Sequence, residues 1–280
     1  MPQDALENLG SHFKEQLLRL EQTLDQLLPQ TSQHSGSIHE AMRYSVLDGG
    51  KRIRPLLTLS VCEVLGGNQN EALIAGCALE FIHSYSLIHD DLPCMDDDEL
   101  RRGKLTCHKK FGEATALLAG DALLTLAFET LTKIKDPQKS QRLVAELAQA
   151  AGTAGMVGGQ VMELSIDPND LDLPTIDAIH ILKTGQLIKT SCLAGAIIAG
   201  ANPELEHHIL KYGEYLGFAF QIIDDILDGD GYLRFMSAHE ARDKAAEVIE
   251  KGKKELAGFK NSQKLNLIAD LILSRGALTS

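Results

Sequence analysis

No stretch of this 280-residue chain alternates polar and apolar side chains for long enough to build a half-buried β-strand. The spacings that recur are the three, four and seven residues of an amphipathic helix, seen from the start in Leu6, Phe13, Leu17, Leu20, Leu24 and Leu28. Gly49-Gly50, Gly66-Gly67-Asn68, Pro137, Pro168, Pro174 and Asn202-Pro203 punctuate long segments rich in Ala, Leu and Ile. Those segments are residues 55–65, 71–91, 114–134, 140–155, 176–200 and 203–227. The pattern predicts an all-α fold, with residues 2–277 forming one bundle of roughly ten helices. No low-complexity linker splits 1-280, so a single domain is expected. Glycine-rich helical stretches such as 152–159 predict close helix packing or kinks.

Composition excludes several functions. A net charge of −12 leaves no basic face for nucleic acid. Cys62, Cys77, Cys94, Cys107 and Cys192 are odd in number and show no paired spacing, as reduced thiols in a cytoplasmic compartment would. The sequence Met1-Pro2-Gln3-Asp4-Ala5-Leu6-Glu7 has no basic or apolar leader region, so a soluble protein without a secretory signal is expected. Residues 192–201 form the best candidate for a membrane span, and they are short and glycine-interrupted.

Two acidic clusters end apolar helical stretches. One reads Asp90-Asp91-Leu92-Pro93-Cys94-Met95-Asp96, the other Asp224-Asp225-Ile226-Leu227-Asp228. Carboxylates are seldom buried, and grouping them adds repulsion that a cation must relieve. Mg2+ suits this role, since it takes a few carboxylates and completes its shell with water and substrate phosphates. Gln221, Asp224, Asp225 and Asp228 share one helix face, while Ile222, Ile223, Ile226 and Leu227 lie opposite. A solvated helix end is the commoner meaning of one such motif alone. On a straight helix Asp90 and Asp96 would diverge, but Pro93 disfavours helix at Leu92 and so predicts a bulge or end that swings Asp96 back.

Basic groups accompany both clusters. Gly49-Gly50-Lys51-Arg52-Ile53-Arg54-Pro55 puts three cations in four residues beside a flexible glycine pair, a composition that binds anions. Arg101 and Arg102 follow the first acidic run, where guanidinium groups suit phosphate. His83 lies two helical turns before Asp90 on the same face, and Lys183-Thr184-Gly185 interrupts an apolar helix with a cation that needs an anionic partner. Taken together, these groups describe a cavity for two diphosphates.

In that combination the chain resembles the trans-isoprenyl diphosphate synthases, specifically the bacterial farnesyl diphosphate synthase type. The resemblance runs from Gly49 to near Arg275 and rests on five motifs in order. They are His83 to Asp98, Arg101-Arg102-Gly103-Lys104, Gly158-Gly159-Gln160, Lys183-Thr184-Gly185 and Phe220-Gln221-Ile222-Ile223-Asp224-Asp225. It implies an isoprenoid synthase bundle around a central cavity and a homodimer. Lys51, Arg54, His83 and Arg102 would hold isopentenyl diphosphate, the homoallylic substrate. Asp90, Asp96 and Asp224 would bind three Mg2+ ions that clamp the allylic diphosphate, with Arg101, Lys183, Thr184 and Gln221 contacting the same substrate. Asp91, Asp225 and Asp228 rank lower as ligands. The implied reaction ionises the allylic diphosphate and adds isopentenyl diphosphate to the cation. Bulk five positions before Asp90 closes the tunnel in this family, and here that position is Tyr85, with Ser86 beside it. Fifteen carbons, farnesyl diphosphate, is therefore the expected product, with geranylgeranyl diphosphate next.

The resemblance also implies a long, lysine-bearing loop after Asp228. Here Asp228-Gly229-Asp230-Gly231-Tyr232-Leu233-Arg234-Phe235 leads almost directly into the next helix. Intact flanks favour loop residues left out of the sequence, to be revealed by an intact mass well above 30.5 kDa. Among rivals, a class I terpene cyclase has no use for Lys51, Arg54 and His83 and wants more aromatics than 5%. A non-catalytic partner subunit of a prenyl synthase typically lacks one acidic motif, and both are present. A helical scaffold has no need of the basic clusters.

Overall fold

The computed structural model describes residues 2–31, 36–167 and 170–275, with side chains from Phe13 onward. The expectations placed on the Leu6 side chain and on the Pro168 break lie outside the described residues. Thirteen α-helices and one two-residue hairpin make up the described chain. The helices are α1 (Pro2–Leu27), α2 (Gly36–Leu47), α3 (Ile53–Val64), α4 (Gln69–Asp90), α5 (Cys107–Phe111), α6 (Glu113–Leu131) and α7 (Pro137–Ala151). They continue as α8 (Met156–Ser165), α9 (Leu173–His180), α10 (Gln186–Ala199), α11 (Pro203–Asp228), α12 (Ala238–Glu255) and α13 (Gln263–Arg275). The punctuation read from the sequence marks real helix starts. Asn68, Asp136 and Asn202 each accept backbone N–H bonds at an N-cap, and Pro137 and Pro203 follow two of them, where a missing N–H costs nothing.

Packing follows from the apolar faces. Phe13, Leu20, Leu24 and Leu28 of the first helical segment are buried, as the spacing requires. Eleven residues of α10 are buried, so this helix is enclosed on all sides. Two apolar clusters form the core. One gathers α2, α4, α6 and α7, and the other α3, α10, α11, α12 and α13. Both α4 and α6 have the length and composition of a membrane span, which corrects the reading that no apolar run is long enough. In α4 that stretch is 72% buried within the bundle, whereas α6 buries only 39% and keeps an apolar face outward. Burial against other helices replaces the alternation that the sequence reading sought.

The connection after Asp228 is a built turn. Gly229 ends α11 at φ 75°, and a single 3₁₀ turn, Gly231–Arg234, leads to α12, which opens with a Ser237–Glu240 capping box. Tyr232 is fully buried there, its N–H donating to Asp225 Oδ2 at 2.8 Å and its hydroxyl to Asp177. A side chain at Gly231 would strike the Asp225 carboxylate, and φ 57° also selects glycine. The residues given pack closely through this segment, and an intact mass above 30.5 kDa stands as the test for omitted loop residues.

Candidate active site

A cavity of about 890 Å³ opens between α3, α4, α8, α11 and α13. Lys51, Arg54, His83, Tyr85, Asp90, Arg101, Arg102, Lys183, Thr184, Gln221 and Asp224 all line it. Asp96 is exposed and does not line the wall. Its backbone N–H nevertheless donates to the Asp90 carbonyl at 2.8 Å, because α4 ends at Asp90 just before Pro93. The break predicted from Pro93 thus brings the two carboxylates together.

Burial outweighs the nearby positive charges at the acidic groups. Burial pushes Asp90 up to about 6, helped by Asp96 and Glu163 and opposed by Lys183 and Arg101. Burial likewise pushes Asp224 up to about 6, helped by Asp228 and opposed by Arg275 and Arg54. Asp96 is raised as well, first by burial. Such shifts mark carboxylates that a cation would relieve. Among the described residues no three ligating groups already converge on one point. Asp90 and Asp224 instead face one cavity from different helices, which fits an ion completed by substrate oxygens.

Two of the remaining motif carboxylates are occupied within the protein. Asp91 is buried and ion-paired to Arg101 at 2.6 Å. Asp225 is buried between the Tyr232 N–H and His180 Nε2, the latter 3.4 Å away. Asp228 is exposed at the end of α11.

The basic groups divide differently from the sequence reading. Arg52 is buried and donates to Glu80 at 2.7 Å, to Glu21 at 2.7 Å and to the Val46 carbonyl at 2.7 Å. It is therefore a strut, and only Lys51 and Arg54 of that cluster remain for an anion. The strut holds its own backbone at φ 50°, a left-handed conformation that costs a non-glycine residue roughly 1–2 kcal/mol. Lys51, Arg54 and Arg102 are all shifted downward, burial being the largest cause in each. His83 falls well below its ordinary value through burial and the charges of Arg54, Arg102, Arg101 and Arg52. Crowded, desolvated cations of this kind make a site for a multivalent anion.

Local geometry aims these groups. The hairpin pairs Leu100–Arg101 with Lys104–Leu105, and Arg102 and Gly103 both have positive φ, as a type I′ loop demands. That turn points Arg102 at Gly49, whose carbonyl it bonds, and the absence of a side chain at Gly50 leaves room for the guanidinium. Lys183 and Thr184 lie in a π-helical turn, Ile181–Gly185, between α9 and α10. Such turns concentrate at functional sites, and nothing in the helical pattern signals this one. Gly159 of α8 presses against it, since a Cβ there would sit 2.4 Å from the Lys183 nitrogen. The close packing expected of residues 152–159 is thus realised at the site itself. Lys183 pairs with Glu163 of α8.

Tyr85 lines the cavity, is 6% exposed and meets His89 edge-on at 5.7 Å. His89 is hydrogen-bonded to the Leu117 carbonyl, and α6 can approach it only because Gly120 has no side chain. Val157, Val161 and Leu164 of α8, all exposed large apolar residues, line the same cavity and give it a greasy wall.

Comparison with known proteins agrees with this geometry. A family model described as polyprenyl synthetase matches residues 35–254. The heterodimeric geranylgeranyl pyrophosphate synthase large subunit 1 of Arabidopsis thaliana is 42% identical over 83% of this chain and 70% of its own. Geranylgeranyl pyrophosphate synthase 12 of the same plant is 40% identical over 94% of this chain and 81% of its own. That alignment spans 290 positions, whereas 94% of 280 residues is about 263, so the relative carries about 27 positions without a counterpart here. A solved structure described as an FPP/GFPP synthase from Zymomonas mobilis superposes with a TM-score of 0.91 at 39% identity, covering 96% of this chain and 99% of that one. The chain belongs to the polyprenyl synthetase family and is a prenyltransferase of the trans-isoprenyl diphosphate synthase type.

Proposed function

We propose that the protein condenses isopentenyl diphosphate with dimethylallyl and then geranyl diphosphate, stopping at farnesyl diphosphate. The observation that carries this reading is one cavity lined by desolvated cations, desolvated carboxylates and a braced aromatic ring. Lys51, Arg54, His83 and Arg102 hold the homoallylic diphosphate by charge and hydrogen bonding. Asp90, Asp96 and Asp224 would hold Mg2+, which when bound supplies positive charge against which the allylic diphosphate leaves. Lys183, Thr184, Gln221 and Arg101 orient that diphosphate, so its carbon chain points toward Tyr85. Val157, Val161 and Leu164 exclude water that would quench the allylic cation. The cavity fixes both reacting ends, which removes the entropy of bringing them together. We assign the final proton to the released diphosphate.

Tyr85 supports fifteen carbons because His89 and α6 brace it and leave it little freedom to turn aside. A twenty-carbon product is the second reading, drawn from the names of the Arabidopsis thaliana relatives. Leu117 and Leu118 on the outward face of α6 support pairing with a second copy. The test is incubation with Mg2+, isopentenyl diphosphate and dimethylallyl diphosphate, followed by chain-length analysis. Farnesyl diphosphate is expected. Twenty carbons or more would overturn the floor argument, and no elongation by folded protein would point to a non-catalytic subunit.

A further inference from the structure

His108 belongs to α5 and does not line the cavity. It is 5% exposed, and its Nδ1 lies 3.1 Å from the Thr106 hydroxyl. Thr106 is buried too and stands at the N-cap of α5, yet its hydroxyl makes no cap bond. It turns the other way and meets the Asp98 carbonyl at 2.7 Å, with the Glu99 carbonyl farther off at 3.5 Å. A carbonyl has no proton to give, so the hydroxyl donates there and its one proton is committed. His108 must then donate from Nδ1 to Thr106, which fixes its tautomer. Its Nε2 is buried without a hydrogen-bond partner, 4.0 Å from Asp97 Oδ1. The imidazole therefore works through Nδ1, in a directed chain of bonds from His108 to Thr106 to Asp98.

That chain of bonds ends on a residue with little else to hold it. Asp98 lies in no helix or strand, and its side chain is 52% exposed. Its carboxylate is one of two jaws on Arg101. Asp98 Oδ2 accepts from Nη2 at 3.3 Å, and the buried Asp91 accepts from Nε at 2.7 Å. Arg102, next along the hairpin, is fixed separately by the Gly49 carbonyl. Freeing Asp98 would therefore loosen Arg101 and leave Arg102 in place. We propose that His108 is a positioning residue for the allylic diphosphate, acting through Thr106 and Asp98 to hold Arg101 in its binding pose. The proposal rests on the allylic reading of Arg101. A guanidinium gripped from two sides has little rotamer freedom left to lose when a diphosphate arrives, so the grip is felt as affinity.

The test is initial-rate kinetics with Mg2+, varying dimethylallyl diphosphate at saturating isopentenyl diphosphate and then the reverse. His108→Leu should raise KM for dimethylallyl diphosphate about three- to tenfold, the range of one lost hydrogen bond, with kcat and the other KM moved far less. His108→Asn should restore the wild-type KM, because its amide nitrogen stands where Nδ1 stood. His108→Gln, whose amide reaches the Nε2 position instead, should not. Thr106→Val removes the hydroxyl at nearly constant volume and should match His108→Leu, with the two combined no worse than either alone. It carries the test by itself if His108→Leu fails to fold. Both KM values rising together would overturn the proposal, since that is a general distortion of the hairpin. So would equal rescue by His108→Gln and His108→Asn, or an unchanged allylic KM in Thr106→Val. An allylic KM indifferent to Arg101→Met would bring down the allylic reading of Arg101 itself. One raised by Arg101→Met yet unmoved by the variants at 106 and 108 would overturn the role of His108 alone.

Discussion

Asp90→Asn should make the metal-free protein more stable while abolishing synthesis. Burial is the main reason that Asp90 rises from 3.8 to about 6, so the folded state holds its charged form at a penalty. A shift of about two units at 1.36 kcal/mol each sets a ceiling of ~3 kcal/mol, and screening by solvent reaching the cavity reduces it to ~1–2 kcal/mol. The folded value is raised, so the penalty is absent below pH 3.8, grows as pH climbs from there to about 6, and is complete above that. Asparagine has no charge to desolvate and avoids it at every pH. Urea unfolding in chelator should therefore show the variant ahead of wild type at pH 7, with the gap closing toward pH 5. Adding Mg2+ with a non-reactive allylic diphosphate analogue should reverse the order, because only wild type gains a bound ion. A variant less stable than wild type at pH 7 without metal would refute the reasoning and make Asp90 a structural anchor.

Three further outcomes follow from the geometry. Tyr85→Ala should shift the product from fifteen to twenty or more carbons on chromatography, with the condensation rate changed far less than the product length. Gly159→Ala would place a methyl group 2.4 Å from the Lys183 nitrogen, and the forced backbone shift should cost ~1–3 kcal/mol in unfolding and lower kcat at least tenfold. Arg52→Met strands the buried Glu80 and should cost ~3–5 kcal/mol, whereas Arg52→Met with Glu80→Leu should recover much of it, as urea unfolding would show.

The sequence revealed what depends on neighbours along the chain. Helix starts at Pro137 and Pro203, the break at Pro93 and the amphipathic face of α1 all follow from local chemistry, and the structure has them. Features that depend on distant partners were hidden. Arg52 looks identical to Lys51 and Arg54 until Glu21 and Glu80, dozens of residues away, close on it. The site around Asp224 needs a cation from α13, and no motif spans that distance. The apolar length of α4 and α6 went unnoticed because the reading sought uninterrupted apolar runs, and occasional polar residues in both helices masked them. The turn at Tyr232 looked like a gap because the family resemblance implies a longer, lysine-bearing loop after Asp228. The buried Tyr232 ring and its bond to Asp225 close the eight residues given into a packed turn.

The π turn at Ile181–Gly185 also sets the rotational phase of the helices on either side. One residue more per turn than an α-helix offsets α10 from α9 by roughly 100° about their common axis. Ile176 and Ile179 before the turn and Leu187 and Ile188 after it are all buried on that offset. Deleting any single residue of the turn would restore a regular helix and rotate Ile176 and Ile179 of α9 relative to α10. The turn that carries Lys183 and Thr184 thus ties the site to the relative phase of its two flanking helices.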